Sequence, residues 1–275
     1  MRCGYVAVLG QPNAGKSSLV NYIVGEEVAI VSHRRQTTRN SILGIKNGKD
    51  FQIVFVDTPG IHHSANKLDK FMSKNVRNAV ATADVALYLF DGTKPLEDEE
   101  REYIEMLKGK CENVVLVQTK SDKKQLDFDL EAVKISVKTG ENVDSLTNFV
   151  SRLLPEREAI YDKDLYTDKN INFLIAEKVR GILLNNIDKE VPHGVAVVIT
   201  KFVELESIVK IDIDIICERE QHKGIIIGKG GKVLKEVGKQ TRLFAEDLLE
   251  KKVNINLFVK VDKDWRMKNI EQYGY

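Results

Sequence analysis

Residues 10–17, Gly-Gln-Pro-Asn-Ala-Gly-Lys-Ser, have the types and spacing that bind phosphate, because they fit the pattern G-x-x-x-x-G-K-[ST]. Gly10 and Gly15 allow the main chain to wrap closely around an anion and point its N–H groups at it. Lys16 would place a positive charge between the β- and γ-phosphates of a nucleotide, and the Ser17 hydroxyl would ligate Mg²⁺. The nucleotide contacts expected from this loop are Gly10, Asn13, Ala14, Gly15, Lys16, Ser17 and Ser18.

Two further segments predict a response to the γ-phosphate. Asp57-Thr58-Pro59-Gly60 follows the apolar run 52–56, so Asp57 can bind the Mg²⁺ shell through water and the Gly60 N–H can contact the γ-phosphate. In Gln-Thr-Thr-Arg at 36–39, a threonine can close over Mg²⁺; the chemistry leaves Thr37 and Thr38 open, and we favour Thr38. The expected Mg²⁺ ligands are Ser17, Thr38 and Asp57, and the expected catalytic residues are Lys16, Thr38 and Gly60.

A third pair of segments predicts the selection of guanine. Thr119-Lys120-Ser121-Asp122 follows the apolar run 114–117. The Asp122 carboxylate can accept hydrogen bonds from the ring N–H and the exocyclic amine of guanine, a donor pattern that adenine lacks. Lys120 would pack its stem along the base, and residues 136–138 would offer a main-chain N–H to the guanine carbonyl. The expected base contacts are Thr119, Lys120, Asp122, Ser136, Val137 and Lys138.

The residue that follows Gly60 predicts slow hydrolysis. Many GTPases carry a glutamine there that orients the attacking water, whereas this chain has Ile61, whose side chain cannot orient water. We therefore expect another group, a monovalent cation such as K⁺ or a partner to assist. Asn13 is a candidate ligand for that cation, and stabilisation of the loop is the alternative role for its side chain.

Residues 223–231, Lys-Gly-Ile-Ile-Ile-Gly-Lys-Gly-Gly, predict a contact with nucleic acid. Their G-x-x-G loop follows an apolar run and precedes a helix, which is typical of a KH domain whose loop clamps about four nucleotides. In that helix, apolar residues repeat from Leu234 to Leu248, and the basic residues fall on the opposite face. The alternative is a solvated helix beside a tight turn. The expected RNA contacts are Lys223, Gly228, Lys229, Gly230, Gly231, Lys232, Lys235, Lys239 and Arg242.

The composition allows two globular domains and excludes several classes of protein. The chain has 275 residues, 43% of them hydrophobic, and its 42 basic and 41 acidic residues leave a net charge of +1, so any nucleic-acid site must be a local patch. Its 3 cysteines form no C-x-x-C pair, which argues against a disulfide framework or a zinc site. No apolar stretch approaches the ~20 residues of a membrane span. Strand-like runs alternate with helical patterns up to about residue 154, which predicts an α/β fold with a mostly parallel sheet.

Along nearly its whole length the chain resembles the bacterial Era GTPases. The matching segments are GQPNAGKS, QTTR, DTPGIH, YTDKNINFLIAEKVR, KGIIIGKGGKVLKEVGKQTR and FVKVDKDWR. The resemblance implies an α/β P-loop GTPase domain over residues 1–155, a polar linker over 156–170 and an α+β type II KH domain over 171–275. The chain departs from the family pattern at Thr119, where many members have asparagine, and at Val137, where alanine is common.

The same resemblance implies a function. It predicts a switch that binds and hydrolyses GTP with Mg²⁺, binds 16S ribosomal RNA near its 3′ end and acts in maturation of the small (30S) ribosomal subunit. It also implies a monomer in the cytoplasm, with peripheral contact to the inner membrane. A tRNA-modification GTPase fits less well because Cys217 lies in a predicted strand and no C-terminal catalytic cysteine follows it. A membrane-remodelling GTPase would need a long helical stalk, which the sequence does not supply. An RNA-binding protein with a purely structural nucleotide would not need the set Lys16, Ser17, Asp57 and Gly60.

Overall fold

The computed structural model describes residues 1–32, 34, 37–60, 67–187, 191–268 and 270–273. Its contacts divide the chain into two units. The described residues of the first unit lie within 1–31, 38–60 and 69–168, and those of the second within 32–37, 67–68 and 169–273. Each unit has its own β-sheet and its own apolar core. In the described part of the chain, no helix combines the length and the apolarity needed to cross a bilayer.

The first unit is built on a six-stranded sheet of order β2-β3-β1-β4-β5-β6, in which only β2 and β3 pair antiparallel. The strands are β1 Arg2–Gly10, β2 Ile42–Asn47, β3 Phe51–Asp57, β4 Val85–Asp91, β5 Val114–Thr119 and β6 Val133–Lys134. The helices are α1 Lys16–Val24, α2 Lys67–Thr82, α3 Asp98–Lys108 and α4 Val143–Leu153. Strands β1 and β4 are almost entirely buried, as expected for parallel strands covered on both faces.

The order of the strands explains where a ligand can bind. After β1 the chain adds β3 on one side of it and β4 on the other, so the direction of winding reverses at β1. In open parallel sheets, ligands bind at the carboxyl edge of the strands beside such a reversal. The loops that follow β1, β3, β5 and β6 all leave from this edge, and they carry the motifs predicted to bind nucleotide.

Residues 156–168, which the sequence predicts as the greater part of a linker, pack on the first unit. The fully buried side chain of Gln52 accepts hydrogen bonds from the main-chain N–H groups of Ile160 (2.8 Å) and Tyr161 (3.0 Å) and donates one to the Tyr161 carbonyl (2.8 Å). The Ile45 N–H in β2 donates to the carbonyl of residue 166 (2.9 Å). The segment is therefore fastened to the sheet, and the change of unit comes between residues 168 and 169.

The second unit has a three-stranded sheet of order β7-β8-β9, in which β8 pairs antiparallel with β7 and parallel with β9. Its strands are β7 Ala196–Glu204, β8 Ile208–Cys217 and β9 Lys252–Val261, and its α-helices are α5 Ile171–Asn186, α6 Glu220–Ile227 and α7 Lys232–Leu249. Short 3₁₀ turns cover Val191–Gly194, Lys229–Gly231, Trp265–Met267 and Ile270–Tyr273. Alternate residues of β8, from Val209 to Cys217, are buried in the core against the helices.

Helix α6 differs from the sequence prediction, which has a single helix after the G-x-x-G loop. Residues 225–227 read as a plain apolar run because three adjacent isoleucines carry no helical period. In the structure they form the last turn of α6, with Ile226 fully buried and Ile225 exposed. The loop therefore joins two helices, and the order of elements is α-β-β-α-α-β.

Replacement of Gln52 by alanine should loosen residues 156–168. Two half-buried main-chain N–H groups, those of Ile160 and Tyr161, would lose their acceptor, so we expect the free energy of unfolding to fall by about 1 to 2 kcal/mol. Urea denaturation measures the loss, and limited proteolysis should cut within 156–168 faster than in the wild type. Gln240→Ala is the control, because among the described residues that side chain donates its hydrogen bond to Glu236 on an exposed face of α7 (2.8 Å). Equal effects of the two substitutions would contradict this account of the segment.

Candidate functional site

The loop between β1 and α1 has the backbone conformation of an anion cradle. Gly10 has φ 135° and Gly15 has φ 98°, both in the region that favours glycine. A Cβ at Gly10 would lie 2.1 Å from the carbonyl oxygen of Leu89, so only glycine lets the end of β1 pass this close to β4. Gly15 is the N-cap of α1 and has no side chain with which to cap the first N–H groups of that helix. These N–H groups therefore face the loop as donors for an anion.

The Lys16 side chain is buried at the base of this loop. Its Nζ donates hydrogen bonds to the carbonyls of Gly10 (2.9 Å) and Gln11 (3.0 Å). Burial lowers the pKa of Lys16 to about 8, although the nearby charge of Asp57 acts in the opposite direction. The ammonium group is therefore held inside the loop by weak neutral acceptors, which a phosphate oxygen can replace with a stronger partner.

Asp57, at the end of β3, gathers two hydroxyl groups around one of its oxygens. Its Oδ2 accepts hydrogen bonds from Ser17 Oγ (2.7 Å) and Thr38 Oγ1 (3.1 Å), and the two hydroxyl oxygens lie 3.0 Å apart. The Thr37 hydroxyl instead donates to the carbonyl of Arg34 (2.6 Å). Of the two threonines that the sequence leaves open, Thr38 is the one placed beside Ser17 and Asp57.

The other oxygen of Asp57 is a candidate cation ligand. Asp57 is 0% exposed, and its Oδ1 has no hydrogen-bond partner among the described residues. Burial raises the pKa of Asp57 against the opposing effects of Ser17, Lys16 and Thr38. A buried carboxylate and two hydroxyls are the hard oxygen donors that Mg²⁺ prefers, so this donor set fits the ion.

The segment that follows Asp57 is pinned between β1 and the phosphate loop. The buried Thr58 hydroxyl donates to the carbonyl of Val8 (2.8 Å). A Cβ on Gly60 would lie 2.9 Å from Pro12 Cγ, so the glycine allows this main chain to touch the loop. Ile61, on which the prediction of slow hydrolysis depends, lies outside the described residues, as does Gln36.

The predicted base contacts meet at the carboxyl ends of β5 and β6. The exposed Asp122 accepts a hydrogen bond at Oδ1 from the hydroxyl of Ser136 (2.8 Å), which is fully buried. This bond orients the carboxylate from one side. Val137 is half-buried and Lys138 is exposed beside them. Asn13, the predicted cation ligand, is exposed with φ 66° in the phosphate loop.

Thr119 and Lys120 have partners that the motifs alone do not show. The buried Thr119 hydroxyl lies 2.9 Å from the carbonyl of Ala14 and 3.1 Å from that of Phe90, and donates to one of them at a time. It thereby ties the phosphate loop to β4 and β5. Lys120 has φ 62°, and its Nζ pairs with Asp91 at 2.5 Å.

Sequence reasoning missed Asp91, which holds Lys120 at the edge of the base site. Burial acts to raise the pKa of Asp91, but hydrogen bonds from Lys120 and Thr93 outweigh it and hold the pKa below its ordinary value. The signal was present, because Asp91 directly follows the apolar run of β4 and so lies at the same edge of the sheet as the motifs.

The predicted RNA loop connects α6 to α7 through three glycines with positive φ: Gly228 at 75°, Gly230 at 61° and Gly231 at 74°. A Cβ on Gly228 would lie 2.5 Å from Val233 Cγ2, so the chain turns there only with glycine. Around Gly230 and Gly231, a Cβ would meet nothing within 4 Å. The tip of the loop is therefore open, which allows a phosphate backbone to approach its main chain.

Helix α7 separates an apolar face from a basic one. Val237 and Thr241 are fully buried, and the other members of the apolar stripe pack against the core of the second unit. Lys223 in α6 is half-buried. The exposed basic residues, none of which forms an ion pair with a described residue, are Lys229, Lys232, Lys235, Lys239 and Arg242.

Comparison with known proteins identifies the family. The family model described as 50S ribosome-binding GTPase matches residues 5–120, and the KH domain model matches residues 190–266. GTPase Era of Clostridium acetobutylicum is 40% identical over 279 residues, which cover 96% of this chain and 94% of the relative. The chain belongs to the Era family of GTPases. GTPase Era of Clostridioides difficile strain 630 is also 40% identical, over 100% of this chain and 98% of its own length.

Solved Era structures share the fold of both units. Era in complex with MgGDPNP and nucleotides 1506–1542 of 16S ribosomal RNA has a TM-score of 0.94 and 35% identity, covering 100% of this chain and 99% of that one. An Aquifex aeolicus Era variant bound to GDP and AlF₄⁻ has a TM-score of 0.94 and 34% identity, with the same coverage. Like other members of the Era family, this chain is a GTPase, with a P-loop GTPase domain and a C-terminal KH domain.

The lowered pKa of Lys16 predicts that nucleotide binding weakens at alkaline pH. Phosphate stabilises the charged ammonium and raises its pKa, so affinity is full well below the pKa of about 8 and falls as the pH rises through it, because Lys16 of the free protein loses its proton. Between about pH 7 and about pH 9, GDP should bind about tenfold more weakly. Titration with fluorescently labelled GDP measures this slope. Lys49→Ala, at an exposed lysine outside the predicted nucleotide contacts, should keep the slope, and a constant affinity in the wild type would contradict the prediction.

Proposed function

We propose that this Era-family GTPase is a GTP-dependent, RNA-binding switch in the maturation of the small (30S) ribosomal subunit. Its RNA target is 16S ribosomal RNA near the 3′ end. The observation that carries the proposal is that one chain holds both the Ser17–Thr38–Asp57 cluster and a KH loop followed by an exposed basic helix face. The solved Era complex with MgGDPNP and nucleotides 1506–1542 of 16S ribosomal RNA supports the choice of RNA.

At the phosphates, the proposed Mg²⁺ ligands are Ser17, Thr38 and Asp57, the last through water. The bound ion would neutralise charge on the β- and γ-phosphates. Ser17 and Thr38 both donate to Asp57 Oδ2, which leaves the lone pairs of each hydroxyl oxygen available to a cation. Thr38 would therefore be held in place when the triphosphate is bound and released after hydrolysis, which makes it the sensor of the nucleotide state.

Around the γ-phosphate, we assign Lys16, Thr38 and Gly60 to stabilise charge and Asn13 to hold a K⁺ ion. Water attacks the γ-phosphorus and the bond to the β–γ bridging oxygen breaks, which yields GDP and phosphate. Ile61 has no hydrogen-bonding atom in its side chain, so the intrinsic rate is low and depends on this assistance. Phosphate-loop contacts from Gly10, Ala14, Gly15 and Ser18 bind the nucleotide without taking part in the step.

At the base, guanine is selected by Asp122, with Lys120 along the ring and the main chain of residues 136–138 at the guanine carbonyl. The hydrogen bond from Ser136 to one oxygen of Asp122 supports this assignment because it orients the carboxylate. Thr119 takes the place of the more common asparagine by tying the phosphate loop to β4, a role that needs only its hydroxyl. Val137 contributes main chain only, so its side chain leaves the choice of base unchanged.

At the RNA, Gly228, Gly230 and Gly231 admit the phosphate backbone, while the lysines and Arg242 neutralise its charge. Ordering of the loops around Thr38 and Gly60 by GTP changes the affinity of the KH domain for RNA. The monomeric state and a peripheral contact with the cytoplasmic face of the inner membrane rest on the family resemblance alone.

Asp122→Asn should shift the preferred base from guanine to xanthine. The Ser136 hydroxyl still has an oxygen to bond on the asparagine, so the new amide presents its NH₂ to the base, and xanthine has a carbonyl where guanine has an amine. We expect GTP affinity to fall by at least about a hundredfold and XTP to bind more tightly than GTP. Competition binding measures both. Asp127→Asn, at an exposed aspartate five residues further along the chain, is the control and should change neither affinity. An unchanged preference for GTP in Asp122→Asn would show that Asp122 does not contact the base.

Gly230→Asp should weaken binding of an RNA with the 3′-terminal sequence of 16S ribosomal RNA by at least about tenfold. The Cβ meets no atom within 4 Å and aspartate tolerates the left-handed conformation, so the substitution adds charge at the loop without a clash. Gly230→Asn is the matched control because it adds the same bulk without charge, and it should retain most of the affinity. RNA affinity that is unaffected by the aspartate would place the RNA site elsewhere.

A further inference from the structure

A cleft of about 950 Å³ opens in the first unit between α2 and α3 and reaches the amino ends of β4 and β5. This volume is at the upper end of the range for small-molecule sites, roughly 300 to 1,000 Å³. It lies away from the base contacts around Asp122, none of which lines it. Its apolar walls include Val76, Val80, Tyr103, Met106 and Leu154.

The charges that line the cleft favour an anion. Asp84 is neutralised by an ion pair with Arg157 (2.5 Å), and its Oδ2 also accepts the Tyr5 N–H (2.8 Å). Arg2 is engaged by Glu156 (3.5 Å) and donates to the Leu154 carbonyl (2.7 Å).

Three charged residues of the cleft then remain: Arg77 on α2, Lys110 after α3 and Glu112. None of the three forms an ion pair with a residue that the structure describes. Two cations against one carboxylate leave the lining with an excess positive charge beside apolar walls, which suits an amphipathic organic anion rather than a cation or a sugar.

Gly60 connects this cleft to the phosphate loop. Its main chain lines the cleft. Because glycine has no Cβ, the same main chain can also contact Pro12 in the phosphate loop. A molecule that contacts Gly60 from the cleft therefore limits the φ/ψ change that Gly60 makes when the γ-phosphate is lost.

We propose that the cleft between α2 and α3 is a regulatory site for a small organic anion with an apolar, ring-sized body, and that its occupancy is coupled to the bound nucleotide through Gly60. The coupling part rests on the role assigned to Gly60 under the proposed function, whereas the binding part does not. Arg77 and Lys110 hold the anionic group, and Val76, Val80 and Tyr103 cover the body.

The probe for the binding part is anilinonaphthalene sulfonate (ANS), an aromatic anion whose fluorescence reports binding. Cys111 lines the cleft and is half-buried, whereas Cys3 and Cys217 are 0% exposed, so Cys111 is the thiol that N-ethylmaleimide will modify in the folded protein. ANS should slow this modification at least about fivefold, as followed by mass spectrometry. An undiminished rate at saturating ANS would overturn the site.

Arg77→Glu should weaken ANS binding about tenfold, the loss of one charge-assisted contact. Arg101→Glu is the matched control, because it makes the same charge change on α3 outside the cleft and should leave ANS affinity unchanged. Both arginines are exposed, so neither substitution disturbs the core. Equal weakening by the two variants would show general electrostatic attraction instead of a site.

Nucleotide dependence tests the coupling. ANS should bind the GDP form and the GMPPNP form with affinities that differ at least about threefold, and saturating ANS should change the ratio of GDP to GMPPNP affinity by the same factor. Equal ANS affinities in the two forms would overturn the coupling. A protein that bound neither nucleotide would refute the proposed function, and Cys111 protection would still report on the cleft.

Discussion

The burial of one carboxylate, Asp57, is the constraint on which the nucleotide site depends. A charged group without solvent is costly unless hydrogen bonds and an opposite charge offset the loss, and here Ser17, Thr38 and Lys16 supply them. Lys16 and Ser17 are the first two residues of α1, at the end of the phosphate loop, and Thr38 comes from the segment before β2. The Asp57 site therefore holds two separate pieces of chain against the end of β3, and its second carboxylate oxygen is placed to bind a cation.

The parallel sheet explains why these pieces meet. Because β1 and β3 are neighbours with Val8 opposite Asp57, the end of β3 lies directly beside the loop that follows β1. Strand β4 on the other side of β1 sets the space for Gly10, and β5 brings Thr119 to the carbonyl of Ala14. The phosphate and base sites thus lie at the same edge of the sheet, and the hydrogen bond of the Thr119 hydroxyl to the phosphate loop connects them. In the second unit, α7 also has two roles, because one face packs against the core and the other presents basic side chains to solvent.

The sequence predicts those parts of the fold in which neighbouring residue types are compatible with one local conformation. The glycines, Lys16 and Ser17 of the phosphate loop require the strand and helix that flank them, and the alternating residues of β8 require a covered face. Helix α6 was missed because its three isoleucines have no helical period, and only the packing of Ile226 decides its conformation. The attachment of residues 156–168 depends on Gln52, a polar residue about 110 positions earlier, so no local pattern reveals it. The place of Asp91 at the end of β4 is visible in the sequence, but its pairing with Lys120 joins two different strands and has no local pattern.

The central claim, that the GTPase site and the RNA site form one switch, is tested most directly by GTP hydrolysis. The rate should be measured for the purified full chain with and without an RNA that carries the native 3′ sequence of small-subunit ribosomal RNA, in potassium and in sodium. A switch predicts a low basal rate that the RNA raises, with the higher rate in potassium if Asn13 holds that ion. A rate that does not respond to RNA in either salt would contradict the claim and leave a GTPase and an RNA-binding domain that merely share a chain.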